Sequence, residues 1–308
     1  MPDTTTVTFW PGHPLSYATT RIDLYFNEQR LSCATGFVLH VGPLYSLVTN
    51  WHVVSGIHPV TGACISRMGG IPNRISFHVA VFTPKEPGEE RLGLMYFKPM
   101  ELDLYDKAGS PIWFDEKEPE VQNDYVVIPI NRHVPELRDG ISKLRCIEGG
   151  KVTLKREADV TSKPGMVRAQ DIAHFYPRIG SEVFVIGYPL GISSNGIFPI
   201  WKRASIASEP QTGVSLCGRN YDNAFYVDAM TKSGMSGSPV VCLARAGDKL
   251  YSDEGTEVEQ KAEDSLMVGV YAGRDGVSPD EYELSVGRVW KIGSVEALVV
   301  KHHARFEG

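Results

Sequence analysis

The sequence predicts an all-β fold, a barrel or a sandwich, followed by one C-terminal helix. The 308 residues include 30 Gly and 20 Pro together with many Val, Thr and Tyr residues, a composition typical of strands joined by turns. Short apolar and β-branched runs recur between clusters of Gly, Pro, Asp and Asn, which is the pattern of a barrel or sandwich.

The predicted strands follow one another along most of the chain. CATGFVLHV and YSLVTNWHVV flank Gly42 and Pro43, and this arrangement predicts a hairpin. The later candidate strands are RISFHVAVF, DYVVIPI, KVTLKR, SEVFVIGYP, AFYVDAM, SPVVCL and LMVGVYAG. In the final segment, GSVEALVVKHHARF, apolar residues recur at roughly helical spacing. We therefore expect one C-terminal helix, capped by Ser294 and packed on the β-body.

Two polar stretches separate these runs. The stretch from Glu148 to Asp171 is the best candidate for a connection between two halves of the chain. The interval RAGDKLYSDEGTEVEQKAEDS is expected to be a surface excursion between two strands.

Charge and cysteine content exclude several classes of function. The net charge is −6, the pI is near 5.9 and no run of Lys or Arg occurs, so we expect no nucleic-acid partner. No window approaches about 18 consecutive apolar residues and no secretory leader is evident, so no membrane partner is expected. The five cysteines are scattered without a C-x-x-C pair, which predicts neither a disulfide framework nor a zinc site. We expect reduced thiols in the cytoplasm, no metal and no cofactor.

The stretch TKSGMSGSPVV, from Thr231 to Val241, is unusually rich in Ser and Gly. Glycine marks a backbone that takes positive φ or lies close to another group. The stretch is therefore either a nucleophile loop around Ser236 or a simple turn before a strand. This stretch alone does not decide between the two.

His52 and Asp124 are the candidate partners of a nucleophilic serine. His52 follows a strand in LVTNWHVVSG, and a general base needs such a rigid support. Asp124 stands at the start of the apolar run DYVVIPI, where a buried carboxylate needs a hydrogen-bonding partner. Asp103 and Asp115 are competing acids without a comparable apolar run. Each residue taken alone also fits a structural role.

The order of these motifs resembles that of trypsin/chymotrypsin-like serine peptidases, closer to their bacterial glutamyl-endopeptidase and HtrA-type branches. TGF, LVTNWHVV, DYVVIPI, VFVIGYP and SGMSGSPVV match family motifs in order, from about residue 30 to about residue 295. The resemblance implies two antiparallel six-stranded β-barrels with the active site in the cleft between them. Residues 1–160 would form the first barrel, and residues 161–308 the second barrel with the terminal helix.

The same resemblance implies a serine endopeptidase with a catalytic triad. Ser236 would be the nucleophile, His52 the general base and then acid, and Asp124 the carboxylate that orients the imidazole. The N–H groups of Gly234 and Ser236 would form the oxyanion hole.

The resemblance also assigns substrate-binding residues. Tyr271, Ala272 and Gly273 would pair with an extended protein or peptide substrate. Met230 takes the position six residues before the nucleophile, often the floor of the specificity pocket, so an acid that selects Lys or Arg is missing. Thr231 beside it could bind a polar side chain.

Three questions stay open at the level of sequence. The long interval between His52 and Asp124 indicates an insertion near TPKEPGEERLGLMYFKPMELDLYDKAGS, with no assigned role. The target is expected to be narrow or controlled by a regulatory protein partner, because a freely cutting cytoplasmic protease would be harmful. The alternative reading is a catalytically idle peptidase fold that serves as a binding or scaffold protein.

Overall fold

The computed structural model describes residues 12–66, 69–83, 94–116, 123–139, 143–149, 178–216, 218–247, 249–251, 257–259, 264–274 and 286–302. The strands of the first half are β1 Thr19–Phe26, β2 Gln29–Val41, β3 Leu44–Thr49, β4 Arg74–Thr83, β5 Leu94–Asp103, β6 Val126–Pro129, β7 Lys143–Leu144 and β8 Ile147–Glu148. The strands of the second half are β9 Glu182–Gly187, β10 Ile200–Ile206, β11 Val214–Leu216, β12 Arg219–Tyr221, β13 Ala224–Asp228, β14 Pro239–Ala244, β15 Lys249–Tyr251, β16 Glu257–Glu259, β17 Asp264–Arg274 and β18 Val286–Lys291. The helices are α1 Pro14–Ala18, α2 Trp51–Ser55 and α3 Ile292–Lys301, with short 3₁₀ turns at Asn131–His133, Pro135–Asp139 and Pro189–Gly191.

The first half forms an eight-stranded sheet with a main path of six strands, β5-β4-β1-β2-β3-β6. The short strands β7 and β8 pair with β4 and β2, and β8 runs parallel to β2. The predicted hairpin is present as β2 and β3, and Gly42 takes φ +60° in its turn.

The second half forms a closed barrel in the order β10-β13-β18-β17-β14-β9. The polar interval predicted as a surface excursion contains the small β15–β16 ladder. The closed barrel, the first sheet and α3 confirm the predicted all-β fold class with a C-terminal helix. Among the described residues, one of the two expected six-stranded barrels is closed, and the first half forms the eight-stranded sheet. The predicted cap is wrong: Lys291, not Ser294, is the N-cap of α3, because the chain turns into the helix directly after β18 and Ile292 is already buried.

Part of the segment read as an insertion belongs to the first sheet. Residues 94–103 form β5, which pairs with β4 across ten residue positions, from Arg74 with Asp103 to Thr83 with Leu94. The segment therefore extends the sheet that carries the first half of the site.

One hydrophobic cluster is shared by the two halves. Buried residues from β2, β3 and β6 pack there with buried residues from β9, β14, β17, β18 and α3; they include Phe37, Tyr125, Ile186, Val241, Trp290 and Val295. Two further clusters lie one within each half. The KVTLKR run, most of the predicted connection and the boundary between 160 and 161 lie outside the described residues.

Candidate active site

His52 lies on a short helix that the preceding strand fixes in place. Strand β3 ends at Thr49, α2 begins at Trp51, and Gly56 ends the helix in the left-handed conformation at φ +68°. The His52 side chain is 17% exposed, so its ring is held by the protein and still reaches solvent.

Asp124 is buried against His52. Its side chain is 1% exposed, and its two carboxylate oxygens lie 2.9 and 2.7 Å from His52 Nδ1. The backbone N–H of His52 donates to the same carboxylate over 2.9 Å, and Asn50 Nδ2 donates to the Asp124 carbonyl oxygen over 2.6 Å. The bonds from His52 Nδ1 and the His52 N–H are charge-assisted and compensate for removing the carboxylate from water, while the Asn50 bond fixes the Asp124 backbone. A proton on Nδ1 leaves Nε2 as the acceptor that a general base needs.

Three serines of the TKSGMSGSPVV stretch differ in access to solvent. Ser233 is exposed, Ser236 is half-buried and Ser238 is fully buried. A nucleophile must reach its substrate from a fixed backbone, and Ser236 combines partial access with a constrained loop.

The loop around Ser236 requires glycine at two positions. Gly234 has φ +94°, and a Cβ there would overlap the Tyr188 carbonyl oxygen. Gly237 has φ +85°, and a Cβ there would overlap the Thr35 carbonyl oxygen and Thr49 Oγ1. Both positive φ and close backbone approach therefore account for the glycines that the sequence singled out.

Thr35 makes four hydrogen bonds, and two of them join this loop to the first sheet. Its N–H donates to Ser236 O over 2.9 Å and its hydroxyl donates to Gly234 O over 2.7 Å. The same hydroxyl accepts from Tyr188 N over 3.1 Å, and Thr49 Oγ1 donates to Thr35 O over 2.8 Å. Thr35 is fully buried. The sequence analysis did not include it among the site residues; its only signal was the first position of the TGF motif.

The loop leaves two backbone donors beside Ser236. Within the described ranges, the N–H groups of Gly234 and Ser236 donate to no backbone acceptor. Over the same ranges, no hydrogen bond joins the Ser236 hydroxyl to the His52 ring. The structure thus brings His52 and Asp124 into direct contact. It also holds the Ser236 loop against Thr35. Thr35 in turn contacts Thr49, three residues before His52.

Residues 34–247 of this chain match a family model described as a trypsin-like peptidase domain. The chain belongs to the trypsin-like peptidase family. The chain is a serine endopeptidase. No curated protein matches its sequence.

Three solved structures illustrate what this chain is similar to at low sequence identity. The inactive form of the Rv3671c protease from M. tuberculosis is 18% identical, with a TM-score of 0.40, over 93% of this chain and 89% of that one. Deg5 is 14% identical, with a TM-score of 0.43, over 93% and 89% of the two chains. The MamO protease domain from Magnetospirillum magneticum is 13% identical, with a TM-score of 0.41, over 92% and 97%.

In this peptidase, two of the five expected substrate-binding residues already have partners in the protein. Thr231 is 3% exposed and its hydroxyl is hydrogen-bonded to the Tyr271 hydroxyl. Tyr271 N donates to Ser238 O and Tyr271 O accepts from Gly237 N, each over 2.9 Å. These bonds hold the loop around Ser236 on β17 and leave less of Thr231 and Tyr271 for a substrate.

Of the remaining expected substrate-binding residues, Met230 is exposed, Gly273 is half-buried and Ala272 is buried. The Met230 side chain is 70% exposed. Strand β17 is irregular between Tyr271 and Gly273, and Gly273 has φ +130°. The β14 ladder on β17 ends at Val270, and beyond it Gly273 pairs with Arg288 of β18.

None of the described helices has both the length and the apolar character of a membrane span.

Proposed function

We propose that this peptidase hydrolyses peptide bonds through Ser236, His52 and Asp124. The observation that carries the proposal is the buried Asp124 carboxylate, which lies 2.7 Å from His52 Nδ1 and also binds the His52 backbone N–H. Such a carboxylate fixes the imidazole tautomer and stabilises the imidazolium that forms during the reaction.

The proposed reaction uses these three side chains in the roles of a serine-peptidase triad. His52 Nε2 removes the Ser236 proton as the oxygen attacks the scissile carbonyl, and His52 then gives that proton to the leaving amine. The tetrahedral oxyanion is stabilised by the N–H groups of Gly234 and Ser236, and one such donor is worth about 10²–10³ in rate. Water repeats the sequence on the acyl-enzyme and restores Ser236.

We expect the Ser236 hydroxyl and the His52 ring to form a hydrogen bond when substrate binds. Catalytic hydrogen bonds in unliganded enzymes are often long or poorly aligned and tighten in the Michaelis complex. An extended peptide along Ala272 and Gly273 would place its carbonyl at the loop, as a strand added to β17.

The substrate is a protein or peptide, and we expect a narrow target or a regulatory protein partner rather than nucleic acid or membrane. The first half, residues 1–160, would supply His52 and Asp124, and residues 161–308 would supply Ser236. A cytoplasmic location stays a prediction, and the described cysteines Cys33, Cys64, Cys146 and Cys242 are free thiols.

A fluorophosphonate probe and a peptide-library assay test the proposal. The wild-type chain and Ser233→Ala, an exposed serine of the same stretch, should label and cleave equally. Ser236→Ala should neither label nor cleave, and His52→Ala should lose nearly as much, because triad members act as a unit. Labelling of Ser236→Ala at the wild-type rate contradicts the nucleophile. A folded wild-type chain that the probe does not label would indicate a scaffold protein instead.

A further inference from the structure

Three side chains with metal-binding atoms meet on the first sheet, away from the candidate active site. His40 Nδ1 lies 2.9 Å from Glu148 Oε2, and Cys146 Sγ lies 3.4 Å from Glu148 Oε1. One ligand atom from each of the three residues lies within 4.8 Å of the others. They form the only such group within the described ranges.

The strand register brings these distant residues together. Strand β8 runs parallel to β2 with His40 opposite Glu148, and Gly149 N donates to His40 O over 2.8 Å. The His40 ring stacks on Tyr45 of the neighbouring strand β3, with centroids 4.3 Å apart. The backbone and this stacking hold the imidazole in place before any ligand arrives, which reduces the cost of ordering a site.

The three ligand atoms indicate which metal ion would bind. One imidazole nitrogen, one thiolate sulfur and one carboxylate oxygen are the ligands that Zn²⁺ uses in proteins. In a tetrahedral site with bonds of about 2.0–2.3 Å, ligand atoms lie about 3.3–3.6 Å apart. The ligand atoms here lie within 4.8 Å of one another, so metal binding would replace the His40–Glu148 hydrogen bond and draw the three side chains around the ion by about 1 Å. We propose that His40, Cys146 and Glu148 bind one Zn²⁺ ion, with water as the fourth ligand. Solvent reaches the position because the Glu148 side chain is 58% exposed.

Glu148 is not the only acid near the cluster. A second carboxylate, that of Glu296 on α3, lies 3.1 Å from the position a Cβ would take on Gly149. When Zn²⁺ binds, the thiol proton is released to solvent.

The position of the cluster indicates a structural ion. His40 lies five residues along β2 from Thr35, about 17 Å at roughly 3.3 Å per residue. Zn²⁺ would therefore attach the segment 143–149 to β2 without touching His52 or Ser236. The inference stands apart from the proposed function.

Metal titration of the full chain tests the site. We expect the chelator-treated protein to bind one Zn²⁺ by calorimetry, and to show a near-ultraviolet thiolate-to-metal band with Co²⁺. Cys146→Ser should lose the band and more than about 100-fold in Zn²⁺ affinity, since outer-shell changes alone cost about 10–100-fold. Cys64→Ser, which removes an exposed free thiol, should retain both.

Glu148→Gln provides a second variant in case Cys146→Ser does not fold. The Glu148 side chain is largely solvent-exposed, so this variant should fold, keep the band and lose at least about tenfold in Zn²⁺ affinity. Equal affinity in wild type and Glu148→Gln, or a Co²⁺ band that disappears in Cys64→Ser instead of Cys146→Ser, overturns the proposal. A wild-type chain that binds no Zn²⁺ overturns it as well.

Discussion

The hydroxyl of Thr35 donates a hydrogen bond of 2.7 Å to the carbonyl oxygen of Gly234, 199 residues later in the chain. Thr35 comes from the first sheet and Gly234 from the loop that precedes Ser236. The conformation of the loop around Ser236 in one half is therefore set in part by a side chain of the other half.

We predict that Thr35→Val lowers both kcat and stability. The change keeps the side-chain shape but leaves Tyr188 N and Gly234 O without their buried partner, at about 1–3 kcal/mol for each group. A loosened loop misplaces the oxyanion donors, and a displacement of about 1 Å costs about 10²-fold in rate. Urea unfolding and peptide kinetics measure the two effects. Thr35→Ser, which keeps the hydroxyl, should retain most of the activity, and a fully active Thr35→Val would show that this bond does not shape the loop.

Asp124→Asn should leave the fold intact and lower kcat by about 10⁴-fold. The amide can donate a hydrogen bond to His52 Nδ1, which favours the tautomer that carries its proton on Nε2 and cannot accept from Ser236. Steady-state kinetics with one peptide substrate measures the loss. Asp103→Asn, at an exposed acid of β5, is the matched control, and a similar loss there would argue against Asp124 as the orienting carboxylate.

Substrates with Lys or Arg before the cut should be poor. Met230 cannot pair with a cation, its side chain is 70% exposed, and the neighbouring Thr231 hydroxyl is bonded to Tyr271. Burying an unpaired cation costs several kcal/mol. A peptide-library profile measures the preference. A profile dominated by Lys and Arg would reverse this expectation and indicate an acid such as Asp275, which lies outside the described residues.

Activity should not require a newly cut N-terminus. In zymogen-type members of the family, an acid before the nucleophile pairs with a freed α-amino group, whereas here that residue is Met235. Met235 is fully buried in the apolar cluster of the second half, so packing takes the place of an ion pair. Turnover and active-site titration should agree between chains with and without a stable N-terminal extension. Activity that begins only as the extension is trimmed would contradict this prediction.

The pair of Lys98 and Glu136 should make stability depend on pH. Lys98 Nζ lies 2.6 and 2.7 Å from the two Glu136 oxygens. Burial raises the pKa of Glu136, but the hydrogen bonds and charge of Lys98, with smaller help from a backbone N–H and the Tyr96 hydroxyl, outweigh burial and leave the pKa below its usual value. A lowered pKa in the folded state contributes stability above the unfolded pKa of about 4.3. That contribution is lost as the pH falls through the lower folded value.

Glu136→Gln should therefore cost about 1 kcal/mol at pH 7 and nothing once Glu136 is protonated in the wild type. Urea unfolding at neutral and strongly acidic pH measures the difference. Glu101→Gln, whose side chain is 64% exposed, should change little at either pH. A Glu136→Gln cost that persists at acidic pH would show that the pair contributes through packing instead of charge.

Local patterns in the sequence were enough to find the strands next to His52 and Asp124, because each residue adjoins an apolar run that forms a strand. The same patterns missed β5, since Pro99 and charged residues interrupt its apolar residues. The structure places β5 at the end of the sheet path, where proline is tolerated.

Contacts between distant segments were not predictable in this way. A buried strand threonine such as Thr35 has no local feature that distinguishes it from any other. The group of His40, Cys146 and Glu148 depends on a parallel pairing by a strand of two residues. Nothing in the spacing of these residues specifies that pairing, so the sequence analysis expected no metal.

The cluster shared by the two halves has a consequence for synthesis on the ribosome. Phe37, Tyr125 and Ile147 of the first half are covered in part by Trp290 and Val295, which are made last. At about 5–20 residues per second, the second half follows on the order of 10 s later. During that interval the apolar side chains of the first sheet are exposed. A chaperone that binds such surfaces could therefore bind the nascent chain before the C-terminal helix is made and covers them.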